Sequence, residues 1–147
     1  MDRKIPLYPN LISIGNNVRL ASNVTFVTHD VTHIMLNAMP ENQQFVEKLG
    51  CISIGDNVFV GTGTIIMYDV KIGSNVIIGA GSVVTKDIPD NSIVAGIPAR
   101  VISTMSGYLE KRRAEKVYDA EHRPRKQEVG AELEKWCWDN FKEKRNK

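Results

Sequence analysis

From Ile54 onward an apolar residue returns at every sixth position: Ile54, Val60, Ile66, Ile72, Ile78 and Val84. The residue after each is Gly55, Gly61, Met67, Gly73, Gly79 and Thr85, and the residue four after each is Val58, Thr64, Val70, Val76, Ser82 and Ile88. Ile14, Leu20 and Phe26 open the same columns earlier, followed by Gly15, Ala21 and Val27, with Val18 and Val24 in the third column. The step from Ile14 to Ile54 is not a multiple of six, so an insertion interrupts the ladder. The non-repetitive stretch from about Asp30 to Gly50 is the place for it.

A period of six fits neither the 3.6 residues of a helix nor a long alternating strand. Each hexad holds one short alternation, such as Val58, Phe59 and Val60, followed by residues suited to tight corners, such as Gly73, Ser74 and Asn75. Three faces close a coil of roughly 18 residues, whose inward side chains stack on those of the next coil at the ~4.8 Å spacing of neighbouring strands. The ladder predicts an all-β fold, a parallel β-helix of about three to four short coils with an inserted loop at residues 30–50. A small sandwich of hairpins is the alternative, but it does not require one column to stay apolar through six hexads.

Charge changes the picture at the C-terminal end. The net charge is +2, but residues 1–104 hold 7 of the 19 basic and 8 of the 17 acidic residues, whereas residues 105–147 hold 12 and 9. A composition boundary near Ser103 to Ser106 therefore separates a β-helical domain, 1–104, from a charged helical extension, 105–147. In the extension Val129, Leu133, Trp136 and Phe141 recur at near-helical spacing, the stripe of a capping helix. Acids interspersed among the bases favour a solvated face, so no nucleic-acid partner is expected. No apolar run approaches the ~20 residues of a membrane span. Met1 to Lys4 leads into Pro6 and Pro9, too short and proline-broken for a secretory leader, so a cytoplasmic location is expected. Cys51 and Cys137 lack the spacing of a metal site or disulfide scaffold.

Three histidines, His29, His33 and His122, limit the search for a general base. An imidazole titrates near neutrality, so it can take a proton from an attacking hydroxyl and give it to a leaving group. His29 lies where the first repeated block gives way to the insertion, the junction of rigid scaffold and loop. On the residues alone a solvated bystander is the other reading. Asp30, His33 and Asn37 are candidates for acceptor contact in the loop, and Asp30 could also orient His29. His122, in the charged tail, reads as a surface residue.

The runs IGDNVFVG from Ile54, IGSNVIIGAGSVVTKDIP from Ile72 and VAGIPARVI from Val94 resemble the hexapeptide-repeat acyltransferases, most nearly the maltose and galactoside O-acetyltransferase branch. The resemblance covers residues 12–102. It implies a left-handed coil and an acetyl group carried from acetyl-CoA to the hydroxyl of a small sugar or glycoconjugate acceptor. It also implies His29 as the catalytic base, through the Thr28-His29 dipeptide before the loop, with no metal. Coenzyme A contacts carried over by motif fall on Thr62, Ala80, Thr85, Lys86 and Arg100. A homotrimer with active sites between subunits is implied as well. Ser103, Phe59 and the pair Tyr68-Asp69 depart from the family's usual residues. Two alternatives stay open: an N-acyltransferase acting on an amino sugar, and a β-helix that is no transferase, either a scaffold or a γ carbonic anhydrase-like metal enzyme. For the metal enzyme His29 and His33 supply only two ligands.

Overall fold

The computed structural model describes residues 6–41 and 44–147. Residues 1–5, which open the stretch on which the leader reading rests, and residues 42 and 43 of the insertion lie outside them. The chain divides into two compact units, Met1–Glu110 and Lys111–Lys147.

The coils of the first unit are built from short parallel strands, each two or three residues long, as the hexads require. The first coil carries β1 (Ile12–Ile14), β2 (Val18–Leu20) and β3 (Thr25–Phe26). The insertion follows, with β4 (His29–Asp30), helix α1 (Thr32–Asn37) and β5 (Lys48–Leu49). The second coil is β6 (Ile52–Ile54), β7 (Val58–Val60) and β8 (Ile65–Ile66). The third is β9 (Val70–Ile72), β10 (Val76–Ile78) and β11 (Val83–Val84). A longer hairpin, β12 (Ser92–Gly96) and β13 (Ala99–Thr104), closes the stack.

Three sheets form the faces of the prism, in the orders β1-β6-β9, β2-β7-β10-β12-β13 and β3-β8-β11. Register follows the columns of the sequence: Ile54 pairs with Ile72, Val60 with Ile78 and Ile66 with Val84. Ile14, Leu20 and Phe26 pair with Ile54, Val60 and Ile66 across the insertion. The sixth-position column is sealed, with Ile54, Val60, Ile66, Ile72, Ile78 and Val84 all at most 2% exposed. Full burial of such a side chain is worth ~1.5–3 kcal/mol. In the third column Thr64 and Ser82 are also buried, and their hydroxyls are satisfied by donating to the Gly79 carbonyl at 3.2 and 2.6 Å.

Corners repeat as strictly as strands. Asn17, Asn57, Asn75 and Asn91 hold left-handed backbone angles, and their side-chain amides donate upward in a ladder at 2.9, 3.1 and 3.0 Å. Asn tolerates that conformation better than other residues with a side chain. At the next corner Gly61 has no alternative, because a Cβ there would lie 2.4 Å from the backbone nitrogen of Ala80 in the coil above.

The lowest coil departs from the sequence pattern. Ile14 and Leu20 belong to the inward column, yet they are 47% and 41% exposed. Their strands have a neighbour on one side only among the described residues, so half of each column residue's packing is missing.

Helix α2 (Met105–Ala114) follows the hairpin, and the second unit holds α3 (Ala131–Glu143). The expected apolar stripe is only partly realised. Leu133 is buried and Trp136 packs edge-on against Tyr118 at 5.7 Å. Val129 precedes the helix and is exposed, and Phe141 is turned toward Trp138. Among the described residues no helix is long and apolar enough to cross a membrane.

Candidate active site

The ladder breaks at the third corner of the lowest coil, and His29 stands there. Phe26 pairs with Ile66 and Ile66 with Val84. Two residues beyond each, Thr28, Tyr68 and Lys86 therefore occupy one corner at three successive levels. In the lowest coil the chain leaves this corner as β4 and returns as β5, an antiparallel stalk in which His29 faces Leu49 and Asp30 faces Lys48. Gly50 rejoins the prism by donating its N–H to the Thr28 carbonyl at 2.9 Å. His29 thus sits on a hydrogen-bonded element at the root of the loop.

The imidazole is only partly exposed. Its Nδ1 is buried with no hydrogen-bond partner among the described residues. The edge of the His29–Tyr8 contact is T-shaped, with ring centroids 5.2 Å apart and planes at 80°. Tyr8 in turn donates its hydroxyl to the Glu47 carboxylate, with both oxygens within 3.3 Å. That carboxylate raises the Tyr8 pKa above its usual value, because it accepts the proton and repels the phenolate.

Asp30 does not orient His29. One oxygen accepts from the Thr32 N–H and hydroxyl, and the other accepts from the Tyr68 hydroxyl at 2.7 Å. Successive side chains on a strand point to opposite sides, which sends the carboxylate away from its neighbour's ring. The bonds from Thr32, then that from Tyr68, hold the Asp30 carboxyl below its ordinary pKa, and Asp30 raises the Tyr68 pKa in return. The Lys48 ammonium lies 5.2 Å from the centre of the Tyr68 ring, a cation–π contact on the same stalk.

Asn37, expected to meet an acceptor, spends its amide inside the loop. It donates to the Phe45 carbonyl at 2.9 Å and accepts from the Phe45 N–H at 2.8 Å, which clips the two limbs of the insertion together. His33 lies in α1, half-buried, and its Nδ1 is buried without a partner among the described residues. No three His, Cys, Asp or Glu side chains among the described residues are grouped to share a metal ion.

The residues assigned to coenzyme A fall in separate places. Thr62 and Ala80 are exposed at the second corner, one coil apart, and the Gly81 N–H donates to the Thr62 carbonyl at 2.8 Å. Thr85 and Lys86 are exposed at the third corner, above Tyr68. Arg100 lies on β13 opposite Ala95, its guanidinium donating to the Ala99 carbonyl at 3.1 Å. Sequence reasoning did not find Tyr8 or Glu47, since neither lies in a repeat or a motif. Tyr68 was visible only as a departure, and its position one coil above Thr28 is the signal that ties it to His29.

Residues 51–86 match the family described as bacterial transferase hexapeptide (six repeats). Over 104 residues the chain is 48% identical to Protein CapG of Staphylococcus aureus, covering 70% of this chain and 58% of that one. A maltose O-acetyltransferase from Clostridium difficile 630 is similar in structure at a TM-score of 0.54 and 45% identity, covering 63% of this chain and 48% of the other. A galactoside acetyltransferase in complex with coenzyme A reaches 0.57 at 37% identity, covering 74% and 50%. These likenesses imply the left-handed coil. The chain spans about half the length of the curated relatives it matches.

Proposed function

Since this chain belongs to the hexapeptide-repeat acyltransferases, on the galactoside and maltose O-acetyltransferase branch, we propose that it moves an acetyl group from acetyl-CoA to a hydroxyl of a sugar or glycoconjugate precursor. The observation that carries the mechanism is the setting of His29, a half-exposed imidazole on a hydrogen-bonded stalk with Nδ1 sealed inside. A neutral imidazole carries one proton. With that proton on the buried Nδ1, Nε2 is the base.

In this mechanism the acceptor oxygen attacks the thioester carbonyl as its proton passes to Nε2. The tetrahedral intermediate collapses, the C–S bond breaks, and the imidazolium returns the proton to the departing thiolate. No acyl-enzyme forms. Acetyl-CoA is the co-substrate, with its arm along the second corner at Thr62 and Ala80 and its phosphates toward Lys86 and Arg100, which suit multiply charged anions. Thr85 lines the same path.

The places of these residues support assembly as a homotrimer. Thr62 and Ala80 are one prism face away from the corner that carries His29. Six residues at ~3.3 Å each put those corners up to about 20 Å apart. A homotrimer brings the second corner of one subunit against the third corner of its neighbour and builds three sites. The outward side chains of Phe59 and Ile65, 46% and 36% exposed on the two faces that meet at the second corner, supply apolar surface for such a contact.

The test is acetyl-CoA-dependent thiol release against a panel of sugars and amino sugars, for wild type and His29→Ala. Loss of about 10²–10⁴ in turnover with coenzyme A still bound is expected. Full turnover by the variant refutes the assignment, and turnover with amino sugars alone refutes O-transfer.

A further inference from the structure

We propose that Tyr8 is the positioning residue of His29, held in place by Glu47; the inference rests on His29 being the base. Four observations converge on it. The Tyr8 and His29 rings meet edge to face at 5.2 Å, a geometry aromatic pairs favour. The phenol hydroxyl donates to Glu47, which directly precedes β5, the strand paired with His29. One residue earlier, the Leu7 carbonyl accepts from the Thr28 hydroxyl at 2.6 Å, and Thr28 is 1% exposed. Residues 7 and 8 therefore lock onto residues 28 and 29, backbone to side chain and ring to ring.

The fourth observation is Tyr8's own backbone. Its φ of 58° and ψ of 56° place a bulky side chain in the left-handed region. Such a conformation persists where the surroundings over-determine it, and it gathers at functional sites. Here the surroundings are the Leu7–Thr28 bond on one side and the Glu47 carboxylate on the other.

The consequence is orientational. An imidazole with a sealed Nδ1 and no hydrogen bond to that nitrogen among the described residues has nothing polar to fix its rotation. Carboxylates do that work in other acid–base sites, and Asp30 is turned away. The Tyr8 ring supplies a wall instead, keeping Nε2 pointed outward. Because Glu47 holds the wall, the return limb of the insertion and the segment before the first coil jointly set the angle of the base.

The test uses the full chain. The sequence has three histidines, so histidine labelled at ring Cε1 gives three signals, and that of His29 is the one lost in His29→Ala. In wild type, a nuclear Overhauser contact between the Tyr8 and His29 rings is expected. In Tyr8→Leu the His29 signal shifts and broadens while those of His33 and His122 stay, and Tyr8→Phe, which keeps the ring but loses the bond to Glu47, restores it only in part. With a sugar that supports wild-type turnover, Tyr8→Leu lowers kcat by about 10–100-fold at unchanged KM for acetyl-CoA, as expected for a misdirected base. Added to His29→Ala, it costs nothing more. An unmoved His29 signal in Tyr8→Leu, or an equal further loss on the His29→Ala background, overturns the proposal. If Tyr8→Leu does not fold, absence of the wild-type ring contact overturns it. Full activity of His29→Ala strikes instead at the general-base reading.

Discussion

Tyr68 donates its hydroxyl to Asp30 across 2.7 Å, joining the third corner of the second coil to the residue after His29. The bond spans 38 residues and crosses from the repeat to the insertion, so a regular part of the prism anchors the irregular part that carries the candidate base.

Tyr68→Phe removes that anchor without changing the ring. Turnover is expected to fall about three- to tenfold as the stalk loosens, consistent with the sensitivity of reacting groups to small misplacement. The loss in stability has a defined pH window. Asp30 titrates below its ordinary 3.8 in the folded chain, so its contribution is present above that value and vanishes as pH falls through the lowered one. Tyr68 titrates above 10.0, so its contribution is present below that value and vanishes as pH rises through the raised one. Thermal unfolding of the two proteins should differ between these limits and converge outside them. A difference that persists once the pH has fallen through the lowered Asp30 value would mean the anchor is not this bond.

Core substitutions separate the closed and open ends of the column. Ile78 is fully buried, and Ile78→Ala should cost ~2–5 kcal/mol. Ile14 occupies the same column but is 47% exposed, and Ile14→Ala should cost below about 1 kcal/mol. Urea unfolding measures both. Equal costs would show that something covers the lowest coil in solution.

Gly61 and Gly63 probe two different reasons for glycine at one corner. An Ala at Gly61 meets backbone of the next coil at 2.4 to 2.8 Å and cannot rotate away, so about 3 kcal/mol is expected, the upper end for overpacking. At Gly63 a Cβ meets nothing within 4 Å, and only the φ of +71° is unfavourable, worth ~1–2 kcal/mol. The reverse order in chemical denaturation would mean that conformation, and not close approach, limits the stacking of coils.

Lys86→Ala and Arg100→Ala should each raise the KM for acetyl-CoA about three- to tenfold and leave kcat nearly unchanged. Both groups are exposed and would act on the donor's phosphates as screened charges. Raising ionic strength in wild type should move KM in the same direction. Unaltered KM in both variants would place the phosphates elsewhere.

The sequence carries the scaffold, because a β-helix is written locally. Each hexad must supply one inward apolar residue, and each corner must supply Gly, Asn or Asp, so Ile54 to Val84 could be read without knowing what they touch. It also determined where the chain departs from that rule, and His29 lies at the departure. The surroundings of His29 arise from folding. Tyr8, Glu47 and Tyr68 reach it or its stalk from 21, 18 and 39 residues away, and such contacts follow no period. Asp30 adjoins His29 in sequence, yet the alternation of the strand turns it toward Thr32 and Tyr68. Asn37 carries an amide suited to an acceptor, yet closing the loop consumes it. Repetition makes a column legible because every level meets the same constraint. A site built once, from segments brought together by folding, repeats nothing that a single sequence could reveal.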